Sequence, residues 1–240
     1  MISVIDTVAD RRPADLQQRA FSDPVVIDRF EAFLTEVLTA MPEVTLTSIG
    51  IGNEVDGYLT DDTYDDFAVF FAAASDVAHQ LVPDVPVAMT FTWDGLQSDL
   101  KAQSLAALGD VWMINYYPLT PEFQTKPPSN TADVLTDMLV LADRTPVFLT
   151  ETGYPSGGCG ATEVGQLAYI QQVLQFAQIN AARMPLVTLV WMHDLPADDV
   201  ETYADYYGQT SDCFADYLST LGLRTHDGRD KPAFSWLRNR

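Results

Sequence analysis

Two glutamates stand where apolar runs stop. Glu54 follows "LTSIGIGN" and Glu151 follows "PVFLT", and a loop rich in glycine, "TGYPSGG", comes after the second. A buried strand that ends on a carboxylate can present that group at the mouth of a site. Two such carboxylates suit glycoside hydrolysis, in which one donates a proton to the leaving oxygen while the other attacks the sugar or activates water. Burial raises the pKa of the acid, and hydrogen bonds keep its partner ionised. Asn-Glu alone is a weak signal. A second glutamate at a strand end three strands later strengthens it. The competing reading is that both carboxylates cap strand ends and do no chemistry.

Other strand ends carry acids, amides and aromatics: Asp6, Asn53, Trp93-Asp94, Asn115-Tyr116-Tyr117 and His193-Asp194. Trp93 offers a flat apolar platform for a sugar face, with core packing as the alternative. His193 either lines a sugar site or is structural. Asp6 and Asp94 either contact sugar hydroxyls or cap loops. The three histidines, His79, His193 and His226, do not fall at zinc-ligand spacing, so no metal site and no cofactor are expected. The acidic stretch "DGYLTDDTYDD" reads as a solvated loop and helix start rather than a calcium site. Cys159 and Cys213 are compatible with one disulfide or two free thiols, and two cysteines do not fix a redox compartment. Tyr203, Tyr206 and Tyr207 either wall a subsite or pack a loop.

The elements that must position these residues alternate. Candidate strands are 2–7, 46–52, 85–92, 111–117, 146–150 and 186–192. Helical patterns lie between them at 23–41, 63–82, 98–109, 130–143 and 161–183, with Asp23-Pro24 and Thr162 as start signals. Strands apolar on both faces, each followed by a helix, predict an α/β fold with a parallel sheet covered by helices. No G-x-G-x-x-G follows the first strand, which lowers a dinucleotide-binding sheet. Polar groups gathered at strand ends favour a (β/α)8 barrel of TIM type, whose sites form at the C-terminal ends of its strands. Six βα units are visible and eight are needed, so the chain is expected to be one incomplete barrel domain over 1–240, holding strands three to eight. The first two units are expected before Met1.

Composition narrows the partners. Net charge is −21, which disfavours nucleic acid and anionic membrane surfaces and fits a neutral carbohydrate substrate. The apolar runs are far shorter than the roughly 20 residues of a membrane span. The first residues lack the basic region and apolar core of a signal peptide. No low-complexity linker divides the chain, and a monomer is expected.

The motifs "GNEV", "INYYPL", "TETGYPSGG" and "LVWMHD" resemble those of the clan A glycoside hydrolases, (β/α)8 retaining enzymes with Asn-Glu ending strand four and Glu ending strand seven. They also look like motifs of family 17 β-glucanases and family 53 endo-galactanases. The resemblance covers about 46–234 and is strong at the motifs. It implies Glu54 as acid/base, Glu151 as nucleophile, and Asn53 on the sugar 2-hydroxyl. It further implies that Tyr117 orients the nucleophile and that Trp191 floors the −1 subsite. Asn115 stands where many clan members carry histidine. Thr-Gly-Tyr follows the second glutamate where family 17 usually has Ser-Gly-Trp. The implied activity is double displacement on a β-linked oligo- or polysaccharide, with carboxyl groups about 5–5.5 Å apart. Substrates of that class suggest an extracellular protein. The rival expectation is a catalytically impaired barrel fragment that binds carbohydrate or another partner.

Overall fold

The computed structural model describes residues 1–240. It contains two compact units, Met1–Asn115 and Tyr116–Arg240.

The first unit begins with β1 (Ile2–Asp6), which turns back through Thr7 and Val8 into the short β2 (Ala9–Asp10). α1 (Pro24–Thr39) leads to β3 (Ile49–Asn53), a 3-10 turn (Val55–Gly57) and α2 (Tyr64–Leu81). β4 (Val87–Ala88), β5 (Thr90–Thr92), α3 (Trp93–Ser98), α4 (Leu100–Ala106) and β6 (Trp112–Tyr116) follow. β1 pairs antiparallel with β2 and parallel with β3, and β3 pairs parallel with β4. β5 pairs parallel with β6. The residues at the C-terminal ends of neighbouring strands therefore lie side by side: Asp6 opposite Asn53, and Thr92 opposite Asn115.

Local chemistry explains the boundaries. Asp23 accepts from Val25 N at 2.8 Å and Pro24 occupies the first helical position, so α1 starts there. The expected strand over 85–92 is two short strands that pair with different neighbours, interrupted at the buried Met89. The apolar run is continuous because both halves are buried, so the sequence hides the break. The expected helix over 98–109 is also two helices. Asp99 is extended and accepts from Lys101 N, which ends α3 and caps α4. Between α1 and α2, Phe21, Phe30, Phe67 and Phe70 form an aromatic cluster with centroids as close as 4.9 Å. Such pairs add about 0.5–1.5 kcal/mol each beyond their buried area.

The second unit contains α5 (Thr131–Leu141), β7 (Val147–Thr152), α6 (Glu163–Ile179) and β8 (Leu186–Leu189). α7 (Ala197–Tyr207), α8 (Asp212–Thr220) and α9 (Pro232–Arg238) complete it. β7 and β8 are parallel, and Thr162 caps α6 through Gly165 N at 3.0 Å. β7 extends past the expected end at 150, so Glu151 lies within the strand. β8 is shorter than expected and only half-buried, with Thr188 exposed. A buried Lys231 locks the unit. Its Nζ donates to Asp194 Oδ1 at 2.6 Å, Gly222 O at 2.7 Å, Ser156 Oγ at 2.8 Å and Thr220 O at 3.1 Å. Cys159 and Cys213 form a disulfide that ties the β7–α6 loop to the first turn of α8. No helix is long and apolar enough to cross a membrane.

Candidate active site

In the first unit, β3 delivers Asn53 and Glu54 by an abrupt turn. Gly52 has φ +89°, and a Cβ there would lie 2.5 Å from Val55 Cγ1. Glu54 itself is left-handed, at φ 47° and ψ 50°, and opens the 3-10 turn. A non-glycine residue in that region costs about 1–2 kcal/mol, so surrounding contacts must hold it. Glu54 Oε2 accepts from Thr7 Oγ1 at 2.7 Å, and Oε1 accepts from Asn115 Nδ2 at 3.1 Å. The same Asn115 Nδ2 donates to Asn53 Oδ1 at 3.2 Å. Asn53 Nδ2 donates to Asp6 Oδ1 at 3.2 Å, and Asp6 pairs with Arg11 at 3.3 Å. One connected network thus runs from Arg11 through Asp6, Asn53 and Asn115 to Glu54. Asn115 is buried, which places two amide donor bonds in a low-dielectric setting where they are strong.

Asp56, two residues beyond Glu54, accepts from the Thr92 hydroxyl and from Thr92 N at 2.9 Å. These bonds fasten the 3-10 turn to the end of β5. Burial pushes the Asp56 carboxyl up to about 6 despite the Thr92 hydrogen bonds, and the nearby Glu54 charge acts in the same direction.

In the second unit, Glu151 Oε2 accepts from the Tyr117 hydroxyl at 2.9 Å. Next to it, the Thr152 hydroxyl donates to Tyr116 O at 2.8 Å and bonds the buried Tyr169 hydroxyl, whose ionisation burial pushes up. Gly153 has no room for a side chain, since a Cβ would lie 2.5 Å from Val190 O. Trp191 follows a cis peptide bond and packs, half-buried, on an aromatic cluster. Its ring centroid is 5.8 Å from that of Tyr203.

The structure therefore brings together Asn53, Glu54 and Asn115 in one unit, and Tyr117 with Glu151 in the other. One expectation needs correction. Trp93, offered as a platform for a sugar face, is 3% exposed and takes the core-packing alternative. Thr92 Oγ1 accepts from Gly95 N and starts a helix directly after the strand, so Trp93 turns into the core. His193 is exposed, with Nε2 at 3.4 Å from an Arg224 nitrogen. Asp194, beside it, pairs with the buried Lys231. The sequence reading missed Thr7, Arg11, Asp56 and Lys231. Thr7 had one visible signal, its place directly after the strand-end Asp6.

No family model and no curated protein matches the chain. Solved structures do. GH5_18 from Streptomyces cattleya in complex with GlcNAc is 19% identical, with a TM-score of 0.67 over 95% of this chain and 57% of that one. The exo-β-1,4-mannosidase Op5Man5 from Opitutaceae bacterium strain TAV5 is 19% identical, with a TM-score of 0.71 over 99% and 44%. A β-glucuronidase from Ruminococcus gnavus in complex with D-glucuronic acid is 16% identical, with a TM-score of 0.61 over 90% and 36%. The chain thus spans little more than half of the first of these structures and less of the others. At such identities the likeness shows the fold, an α/β fold of TIM-barrel type with the barrel partial.

Proposed function

We propose that the chain is a retaining glycoside hydrolase of clan A, one domain over 1–240 that cleaves β-linked oligo- or polysaccharide by double displacement. Glu54 is the acid/base and Glu151 the nucleophile. The observation that carries this reading is the Tyr117 hydroxyl at 2.9 Å on Glu151. A carboxylate that attacks a sugar must be ionised and aimed, and a phenol donor serves both needs. Asn53, held by Asp6 and Asn115, is set to bond the 2-hydroxyl. On this reading Asn115, Tyr117, Trp191 and His193 are sugar-binding residues, with Trp191 as the apolar platform.

Mannosides join β-glucans and β-galactans as candidate substrates, on the strength of the similar structures. Family 17 or family 53 specificity remains part of the proposal. Glucuronides are the weaker choice, because a net charge of −21 repels an anionic sugar. The disulfide suits an oxidising compartment such as the cell exterior.

The test is an activated 2-deoxy-2-fluoro glycoside, followed by peptide mapping. Label on Glu151, with turnover of the matching natural glycan, is the expected result. Sugar binding without label or turnover would replace this reading with that of a carbohydrate-binding module. Label on another residue would remove the assignment of the nucleophile.

A further inference from the structure

Thr7 is the least expected residue in the Glu54 network. It is β-branched yet has φ +51°, a region where such residues are rarely found. Three contacts hold it there. Its N donates to Asn53 O at 2.9 Å. Its carbonyl lies so close to Gly57 that a Cβ at 57 would stand 2.6 Å from the Thr7 oxygen. Its hydroxyl donates to Glu54 Oε2 at 2.7 Å. Glu54 is left-handed as well, at φ 47°. Both ends of one hydrogen bond therefore sit in strained backbone, and strain of this kind persists where the surroundings enforce it, most often at functional sites.

We propose that Thr7 is a positioning residue for Glu54 and that it determines which carboxyl oxygen carries the proton. The inference rests on the acid/base reading above. Asn115 Nδ2 can only donate, so Oε1, which accepts from it, is disfavoured as the protonated oxygen. A hydroxyl can donate or accept. When Glu54 is protonated on Oε2 before substrate is in place, Thr7 Oγ1 can turn and accept, and it gives up that bond when the glycosidic oxygen arrives to take it. When Oε2–H passes its proton to the glycosidic oxygen as the C–O bond breaks, the Thr7 hydroxyl turns back and donates to the new carboxylate. The amide keeps the group aimed while the hydroxyl follows the proton. Aim matters because a general acid works only within about 2.6–3.2 Å of the oxygen it protonates.

The test compares Thr7→Val with Thr7→Ser. Valine keeps the shape and the β-branch, so the backbone strain is unchanged and only the hydroxyl is lost. Serine keeps the hydroxyl. With Thr7→Val, kcat on a natural oligosaccharide should fall about 10- to 100-fold at nearly constant KM, the loss expected from one hydrogen bond to a charged group. An aryl glycoside with a good leaving group needs little acid assistance and should lose less than about threefold. Thr7→Ser should stay within about threefold of wild type on both substrates. Equal losses on both substrates, no loss for valine, or failure of serine to restore the rate overturns the proposal. Crystal structures of the two variants provide a readout free of activity. The Glu54 carboxylate should shift in the valine variant and stay in place in the serine variant. An unmoved carboxylate in both refutes positioning even if the enzyme is active. A shifted carboxylate in a protein without glycosidase activity refutes the acid/base reading and leaves the positioning intact.

Discussion

Lys231→Met should be among the most damaging single changes in the second unit, and its size follows from the contacts. The ammonium is 2% exposed and the Asp194 carboxylate 10%, with 2.6 Å between the bonded atoms. At an effective dielectric of about 20, the attraction at that distance is roughly 6 kcal/mol before desolvation is subtracted. Burial lifts the Asp194 carboxyl and lowers the Lys231 ammonium, so each charge depends on the other to stay ionised. Methionine removes the ammonium and strands the buried carboxylate, while Ser156 Oγ and the carbonyls of Thr220 and Gly222 each lose one bond and keep others. Removing one partner of a buried pair costs about 3–5 kcal/mol. Urea unfolding at pH 7, followed by tryptophan fluorescence, measures the cost directly. The double variant Lys231→Met/Asp194→Leu is the control. It removes the orphaned charge and should recover at least about 2 kcal/mol relative to Lys231→Met alone, since apolar replacements of buried pairs are often neutral or better. A loss under about 1 kcal/mol for Lys231→Met, or a double variant less stable than the single one, would show that the four-acceptor cage is not what holds these segments together.

Two further predictions concern stability. The Asp56 carboxyl titrates at about 6 in the folded protein against an ordinary value of 3.8. The folded state therefore holds this proton more tightly than the unfolded chain. Its contribution is full below pH 3.8 and is lost as pH rises through 6, up to about 3 kcal/mol. Asp56→Asn should flatten that part of the stability–pH curve, measured by urea titration at several pH values, and parallel curves for variant and wild type would refute the assignment. Replacing Cys159 and Cys213 together by serine opens a closure with a sequence separation of 54 and should cost about 4 kcal/mol by loop entropy. Thermal melts with and without reductant check it, and a variant that melts like oxidised wild type would show that the bridge adds nothing.

Much of the fold is legible in the sequence because its elements obey local rules. Asp23-Pro24 and Thr162 announce helix starts, and both caps form through their side chains. Glu54 and Glu151 are legible as strand-end carboxylates because the apolar runs before them are long and clean. What escapes has a common cause, partners far away in sequence. Thr7 is 47 residues from Glu54, and Lys231 reaches acceptors 9 to 75 residues away. A lysine before Pro-Ala reads as a solvated turn until four oxygens converge on it. The break at Met89 is hidden for the opposite reason. Burial keeps "VAMTFT" uniformly apolar, so nothing in composition marks the change of strand partner.

The 159–213 bridge has a topological consequence. It closes the chain into a covalent ring that contains α6, β8, α7 and the loops between them, with Trp191 and His193 on the circumference. A protease that cuts once anywhere inside the ring, for example in the exposed segment around Asp198–Asp199, releases no fragment. The severed ends stay tethered at high effective concentration, so the Trp191 segment can fall back into place instead of diffusing away. Wherever a protease meets this segment, that ring turns a single scission within it into a tolerable event.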